Sequence, residues 1–136
     1  MYKHLSLYKL FDVVDFITII IVSKRSVIYM SFDYHGTKWK HKREHILRLD
    51  GYLCRIAKRY GRKELAQTVH HIYPADEYPE YAWQDWNLIS VSNGNHNKLE
   101  NRRTGELTAL GKQLMKRTIP GIDWRKKKYK TDPPTN

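Results

Sequence analysis

Three histidines and one asparagine are the residues of this chain whose types and spacing most readily do chemistry. His70 and His71 are adjacent, Asn87 follows after a polar stretch, and His96 follows a short apolar run. A neutral imidazole can accept a proton near neutral pH or bind a divalent cation. An amide side chain can hold such a ring in one orientation.

Hydrolysis of a phosphodiester needs these groups in one place. A base must take a proton from water, and a divalent cation must offset the charge on the phosphate and on the leaving 3′ oxygen. In this interpretation His71 is the base, His70 and His96 are metal ligands, and Asn87 orients the loop or the base.

Each of these residues also has an ordinary structural explanation. Successive side chains of a strand diverge, so a His-His pair commonly gives one buried and one exposed ring. Asn87 suits a turn or a cap, and His96 suits the exposed surface of a helix. Their occurrence together, in the order strand, loop, strand, helix, is much less expected by chance than each residue alone.

The sequence around these residues predicts the elements that would position them. Residues 68–74 are rich in β-branched types and predict a strand that stops at Pro74. A loop over residues 75–85 leads to a second short strand over residues 87–91. A following helix, capped by Ser92 or Asn93, is expected to run to about Arg103.

Two further helices are predicted on either side of this unit. Thr37 can cap a helix over residues 38–49, which has an apolar stripe and a basic face and stops at Gly51. A second amphipathic helix is expected over residues 106–117.

Length and charge limit the class of protein. The chain has 136 residues and a formal net charge of +11, from 25 Lys and Arg against 14 Asp and Glu. This length indicates one domain of ordinary size. The charge favours an acidic partner, with nucleic acid first and an anionic membrane second. The single cysteine excludes an internal disulfide and a zinc site built from several thiolates.

The first 29 residues differ in composition from the rest. Their uninterrupted apolar run, residues 16–22, is far shorter than the roughly 20 residues of a membrane-spanning helix. Two aspartates precede it and no clear cleavage site follows, which argues against a signal peptide. We interpret residues 1–29 as an extension that need not belong to the native protein, residues 30–118 as the domain, and residues 119–136 as a basic, flexible tail.

Residues 37–118 resemble the HNH endonucleases encoded by phages. The segments that carry this resemblance fall in the family's order and spacing. They are residues 49–54 (LDGYLC), 68–74 (TVHHIYP), 78–80 (YPE), 86–91 (WNLISV) and 96–97 (HN). The resemblance implies an α+β fold with a ββα-metal core, also called the His-Me finger, and flanking helices.

The resemblance also implies roles for the residues named above. His71 would be the general base, His70 and His96 would bind one divalent ion (Mg, Mn, Ni or Zn), and Asn87 would shape the loop between the strands. Some family members carry a third ligand one helical turn after the final histidine. That position is Glu100 here, and its oxygen suits Mg²⁺ or Mn²⁺. A surface glutamate paired with Arg103 is the alternative.

The chain departs from the family at its structural zinc site. Many relatives have two CxxC pairs, whereas the corresponding positions here are Cys54, Ala57, Ser92 and Asn95. Since three of the four thiolates are missing, no structural zinc is expected. The expected substitute is apolar packing of Leu53, Cys54, Ile56 and Ala57 against Val91 and the final helix.

Exposed basic residues are the expected DNA contacts. They would neutralise phosphates and carry little sequence information, although a solvated basic face is the ordinary explanation. The predicted contacts are Lys38, Lys40, Lys42, Arg48, Arg59, Arg62, Arg102 and Arg103.

The leading hypothesis is a metal-dependent DNA endonuclease in the cytoplasm of a bacterial host, encoded by a phage or prophage. By family analogy it would assist genome packaging beside terminase proteins. A non-catalytic DNA-binding or packaging accessory protein on a degenerate HNH scaffold is the alternative. No membrane partner is expected, and association of residues 5–30 with anionic vesicles is a third hypothesis.

Overall fold

The structure, a computed structural model, describes residues 31–126. The contacts divide the chain into two units, Met1–Phe32 and Asp33–Asn136, and the description below concerns the second. The expectations for residues 1–29, and for the tail beyond residue 126, lie outside the described residues. Within residues 31–126, no helix combines the length and the apolar character that crossing a membrane requires.

A two-stranded antiparallel sheet followed by a helix forms the centre of the described unit. Thr68 lies opposite Val91 and His71 lies opposite Leu88. The loop between the strands contains two 3₁₀ turns, Pro79–Tyr81 and Asp85–Asn87. The elements in chain order are α1 (Thr37–Leu49), α2 (Arg55–Arg59), β1 (Thr68–His71), β2 (Leu88–Val91), α3 (Asn93–Leu99) and α4 (Ala109–Arg117). The predicted α+β class with a ββα core and flanking helices is confirmed.

Helix α1 covers one face of the sheet. Its buried residues, Trp39, Ile46 and Leu47, recur at helical spacing and face the strands. The predicted cap is wrong: Thr37 is the first helical residue and Gly36 is the N-cap. The turn before the helix is held by the carboxylate of Asp33, which accepts hydrogen bonds from the backbone N–H groups of residues 35 and 36.

The hydrophobic core lies on the other face of the sheet. Helices α2, α3 and α4 all contribute to it, and β2 supplies two side chains. The buried cluster consists of Cys54, Ile56, Ala57, Ile72, Ile89, Val91, Leu99 and Leu114. The sheet is therefore covered on both faces, which makes its strands almost wholly buried.

Helix α3 is shorter than predicted and ends at Leu99. Glu100 has an extended backbone (φ −139°, ψ 137°) and forms a β-bridge with Leu107, so the chain leaves the helix at this point. Helix α4 begins correspondingly late, after Thr108, whose hydroxyl accepts a hydrogen bond from the N–H of Gly111. A Cβ at Gly111 would stand 2.2 Å from the Leu99 carbonyl oxygen, so this close approach requires glycine.

The positions of the missing zinc thiolates hold a hydrogen-bonded polar network. The amide of Asn95 donates to the Glu64 carboxylate and to the Ser92 hydroxyl, both at 2.9 Å, and the Ser92 hydroxyl donates to the same carboxylate at 2.9 Å. Cys54 is fully buried in the apolar cluster. Apolar packing is therefore only part of the substitute, and the sequence interpretation overlooked Glu64.

Two residues of the predicted tail are fixed to the domain. The guanidinium of Arg125 makes a bidentate ion pair with the buried carboxylate of Asp50, at 2.8 and 3.0 Å. The indole N–H of Trp124 donates to the carbonyl of Trp86 at 3.0 Å. The packed part of the described chain consequently extends to Arg125, beyond the predicted boundary at residue 118.

Candidate active site

Three potential metal ligands converge beside the sheet. His70 comes from β1, His96 from α3, and Glu100 from the residue that follows α3. The carboxylate of Glu100 lies 3.5 Å from Nδ1 of His70 and 3.9 Å from Nε2 of His96. One ligand atom from each residue lies within 4.8 Å of the others. The alternative pairing of Glu100 with Arg103 is not observed, since the carboxylate faces the two imidazoles.

The side chain of His70 is the strongest sign that this cluster takes a ligand. It is 2% exposed, and neither ring nitrogen makes a hydrogen bond to any residue in the described range 31–126. The 3.5 Å contact with Glu100 is too long to satisfy it. Leaving a buried polar group without a partner costs about 1–3 kcal/mol. Two imidazoles and one carboxylate fit a divalent transition-metal ion such as Mn²⁺, and its binding would satisfy one of the two nitrogens of this ring.

The ionisation of the cluster favours cation binding. The pKa of the Glu100 carboxyl is lowered, chiefly by its polar contact with His70, although burial opposes the change. Burial lowers the pKa of His96, and the neighbouring His70 acts in the same direction. At neutral pH the carboxylate is charged and the His96 imidazole is neutral, which are the forms that coordinate metals.

His71 is held in one orientation by three neighbours. Its Nε2 lies 3.0 Å from the carbonyl oxygen of Ala82, and its Nδ1 lies 3.3 Å from the hydroxyl of Tyr34. Because a carbonyl oxygen can only accept, Nε2 carries the proton and Nδ1 is the basic atom. The indole of Trp39 stacks on the ring, with centroids 5.0 Å apart. Burial lowers the pKa of His71 to about 4, so the ring is neutral at pH 7.

Asn87 acts on the loop between the strands. Its fully buried amide accepts a hydrogen bond from the N–H of Tyr73 at 2.7 Å and donates to the carbonyls of Tyr73 and Tyr81 at 3.0 and 3.2 Å. These bonds close the segment that presents the Ala82 carbonyl to His71. This geometry fits the expected role of Asn87 in shaping the loop. Asn87 influences His71 only indirectly, through the loop that carries the Ala82 carbonyl.

A single cavity of about 290 Å³ joins His71 to the cluster of potential ligands. His70, His71, His96 and Glu100 all line it. Five lining residues were not assigned to the site from the sequence: Tyr34, Trp39, Arg43, Thr68 and Val69. The sequence could have indicated Arg43, because it is the charged residue at helical spacing with the apolar residues of α1 that face the sheet. Its guanidinium donates to the carbonyl of Gln67, beside the start of β1.

The predicted DNA contacts fall into two groups. Lys40, Arg59, Arg102 and Arg103 are exposed and belong to no ion pair within residues 31–126. The other four already have partners. Lys38 lies over the ring of Trp83, Lys42 pairs with Asp85, Arg48 pairs with Glu44, and Arg62 pairs with Glu64.

Comparisons with known proteins give one similar solved structure. No family model matches the chain, and no curated protein matches it. The HNH endonuclease of the deep-sea thermophilic bacteriophage GVE2, a crystal structure with manganese ion, has 30% sequence identity and a TM-score of 0.46. The similarity covers 47% of this chain and 70% of that chain. The fold described here is HNH-like, as its own strands, helix and histidine positions show.

Proposed function

We propose that this chain is a metal-dependent endonuclease that hydrolyses phosphodiester bonds in DNA. One observation carries this conclusion: the buried, neutral base His71 shares a cavity with His70, His96 and Glu100. A base for water and a ligand set for a divalent cation are the two requirements for this reaction at neutral pH. The GVE2 protein, an HNH endonuclease, was solved with manganese.

The residues of the chain would divide the reaction between them. Nδ1 of His71, which faces the Tyr34 hydroxyl at 3.3 Å in the free protein, would exchange that contact for water and take a proton from it. As the water oxygen bonds to phosphorus, the bond from phosphorus to the 3′ oxygen breaks. The Ala82 carbonyl keeps accepting from Nε2 and stabilises the positive charge on the ring. The leaving 3′ oxygen takes a proton from solvent.

His70, His96 and Glu100 would hold the divalent ion, with Mg, Mn, Ni and Zn as candidates. When bound, the ion offsets the negative charge that develops on the phosphate and on the leaving oxygen. Arg43 is the one permanent cation among the described residues that line this cavity. Its guanidinium is suited to a non-bridging phosphate oxygen.

The net charge of +11 and the exposed basic residues support binding along the DNA backbone with weak sequence preference. By analogy with phage HNH proteins, we extend the proposal to a phage or prophage origin, the bacterial cytoplasm, and a role beside terminase in genome packaging.

A plasmid-nicking assay with Mg²⁺, Mn²⁺, Ni²⁺, Zn²⁺ or EDTA tests the proposed activity. We expect metal-dependent nicking that falls by about 10²- to 10⁴-fold in His71→Ala, with DNA binding retained. His41→Ala is the matched control, because His41 is exposed on α1 and outside the cavity. Full activity of His71→Ala would exclude His71 as the base. Binding without cleavage under every cation would identify the non-catalytic accessory protein instead.

A further inference from the structure

A second cavity, larger than the first, lies between α2, α4 and the C-terminal segment. Its volume is about 610 Å³, within the range of ligand-binding pockets, and it shares no lining residue with the first cavity. Ile72, Ile89 and Leu114 form its apolar floor, and the indole of Trp124 forms part of the wall. The site is therefore concave and apolar at its base.

The rim of this cavity is strongly basic. Arg55, Lys58, Arg59 and Arg117 line it, and no acidic residue of the described chain does. Lys58, Arg59 and Arg117 are exposed and form no ion pair within residues 31–126. Arg55 lies 3.7 Å from Asp50 and 5.2 Å from the ring centre of Trp124. Three uncompensated cations around one cavity favour an anionic ligand.

We propose, taking DNA as the substrate from the proposed function, that this cavity binds one unpaired nucleotide. The phosphate lies against Lys58, Arg59 and Arg117, and the base contacts the half-buried indole of Trp124 above the buried side chains of Ile72, Ile89 and Leu114. A base within a duplex is paired and stacked and cannot enter, whereas a base in a single strand can. The second cavity thus gives the chain a preference for DNA with single-stranded segments.

Binding is measured in EDTA, which separates this site from hydrolysis at the first cavity. The probe is a labelled single strand of about 12 nucleotides, compared with a duplex and with an abasic strand of equal length. The variant Lys58→Ser/Arg117→Ser removes two rim charges. The control Lys112→Ser/Lys116→Ser removes two exposed charges of α4 outside the cavity.

We expect the rim variant to bind the single strand about tenfold more weakly. The slope of the logarithm of the binding constant against the logarithm of salt concentration should fall by the equivalent of about one phosphate contact or more. The control variant and the duplex should change by less than about threefold. The abasic strand should bind the wild-type protein more weakly than the normal strand. Equal losses in both double variants, or equal binding of normal and abasic strands, would overturn the assignment.

Nuclear magnetic resonance with dTMP or the same single strand locates the ligand. Changes in the chemical shifts of the Trp124 indole N–H and the Thr118 amide are expected, since both residues line this cavity. Shifts with dTMP identify a site for free nucleotides, whereas shifts with the strand alone identify a site for one unit of a chain. Absence of both, or shifts confined to Trp39 and Arg43 in the first cavity, would overturn the proposal. Nicking activity alongside such a result would leave the proposed nuclease standing.

Discussion

Two adjacent histidines have different surroundings because a strand turns successive side chains to opposite faces. His70 faces α3, where it meets His96 and Glu100, and His71 faces α1, where Trp39 stacks on its ring. The alternation that made the pair ambiguous in the sequence is what separates the proposed metal ligand from the proposed base. Both side chains still line one cavity, to which α1 contributes Trp39 and Arg43 and α3 contributes His96.

Glu100 is predicted to contribute directly to cation affinity. Glu100→Gln keeps the shape of the side chain but removes its charge, so Mn²⁺ should bind at least about tenfold more weakly. Titration calorimetry with Mn²⁺ measures the change. Glu106→Gln, an exposed position outside the cavity, is the control. Unchanged Mn²⁺ affinity in Glu100→Gln would remove this residue from the ligand set.

Arg43 is predicted to act on the transition state. Arg43→Gln should lower kcat by about 100-fold and leave KM nearly unchanged, because charge on the phosphate increases as water attacks. Arg43→Lys should recover part of the rate, since it keeps the charge and loses the planar fork. Steady-state kinetics on a short duplex separates kcat from KM. A rise in KM alone would instead indicate ordinary phosphate binding.

At the scale of elements, the start of α3 is held by a network that no local pattern indicates. Ser92 caps the helix in the expected way, but Glu64 reaches this point from a different part of the chain. The spacing of the expected zinc ligands showed that three cysteine thiolates are missing. It could not show that Glu64 takes part in the network that replaces them, because tertiary structure brings Glu64 to Ser92 and Asn95.

Asn95 is predicted to stabilise this junction. Asn95→Ala leaves the Glu64 carboxylate with fewer donors in a half-buried position, so the free energy of unfolding should fall by about 1–3 kcal/mol. Urea denaturation in EDTA measures it. Asn97→Ala, on an exposed face of the same helix, should change the value by less than about 0.5 kcal/mol. Similar values for the two variants would show that the network contributes nothing specific.

Local patterns predicted the hairpin and α1, because hydrophobic periodicity and the Gly and Pro residues at their ends mark these elements directly. They did not predict where α3 ends, since the bridge from Glu100 to Leu107 depends on a returning segment. They also left out Tyr34 and Trp39, which reach His71 from outside the motif. The sequence therefore indicates the candidate groups for the proposed chemistry, but it indicates less of what holds them in place.

At the scale of the whole molecule, one ion pair connects distant parts of the chain. Asp50, at the end of α1, has a fully buried carboxylate that accepts from Arg125 and from the N–H of Ser90 in β2. Arg125 also donates to the carbonyls of Asp85 and Leu88. The C-terminal segment is thus joined to α1, to β2 and to the loop that contains Asn87.

Removal of Arg125 is predicted to destabilise the whole unit. Arg125→Met leaves the Asp50 carboxylate buried with only the more distant Arg55 as a counter-charge. The free energy of unfolding should therefore fall by about 3 kcal/mol. Chemical denaturation measures the loss, and Lys126→Met is the control because Lys126 is exposed. The double variant Asp50→Asn/Arg125→Met should regain part of the stability, since no unpaired buried charge remains. A stability of Arg125→Met equal to that of the control would mean that the segment contributes little to the packed domain.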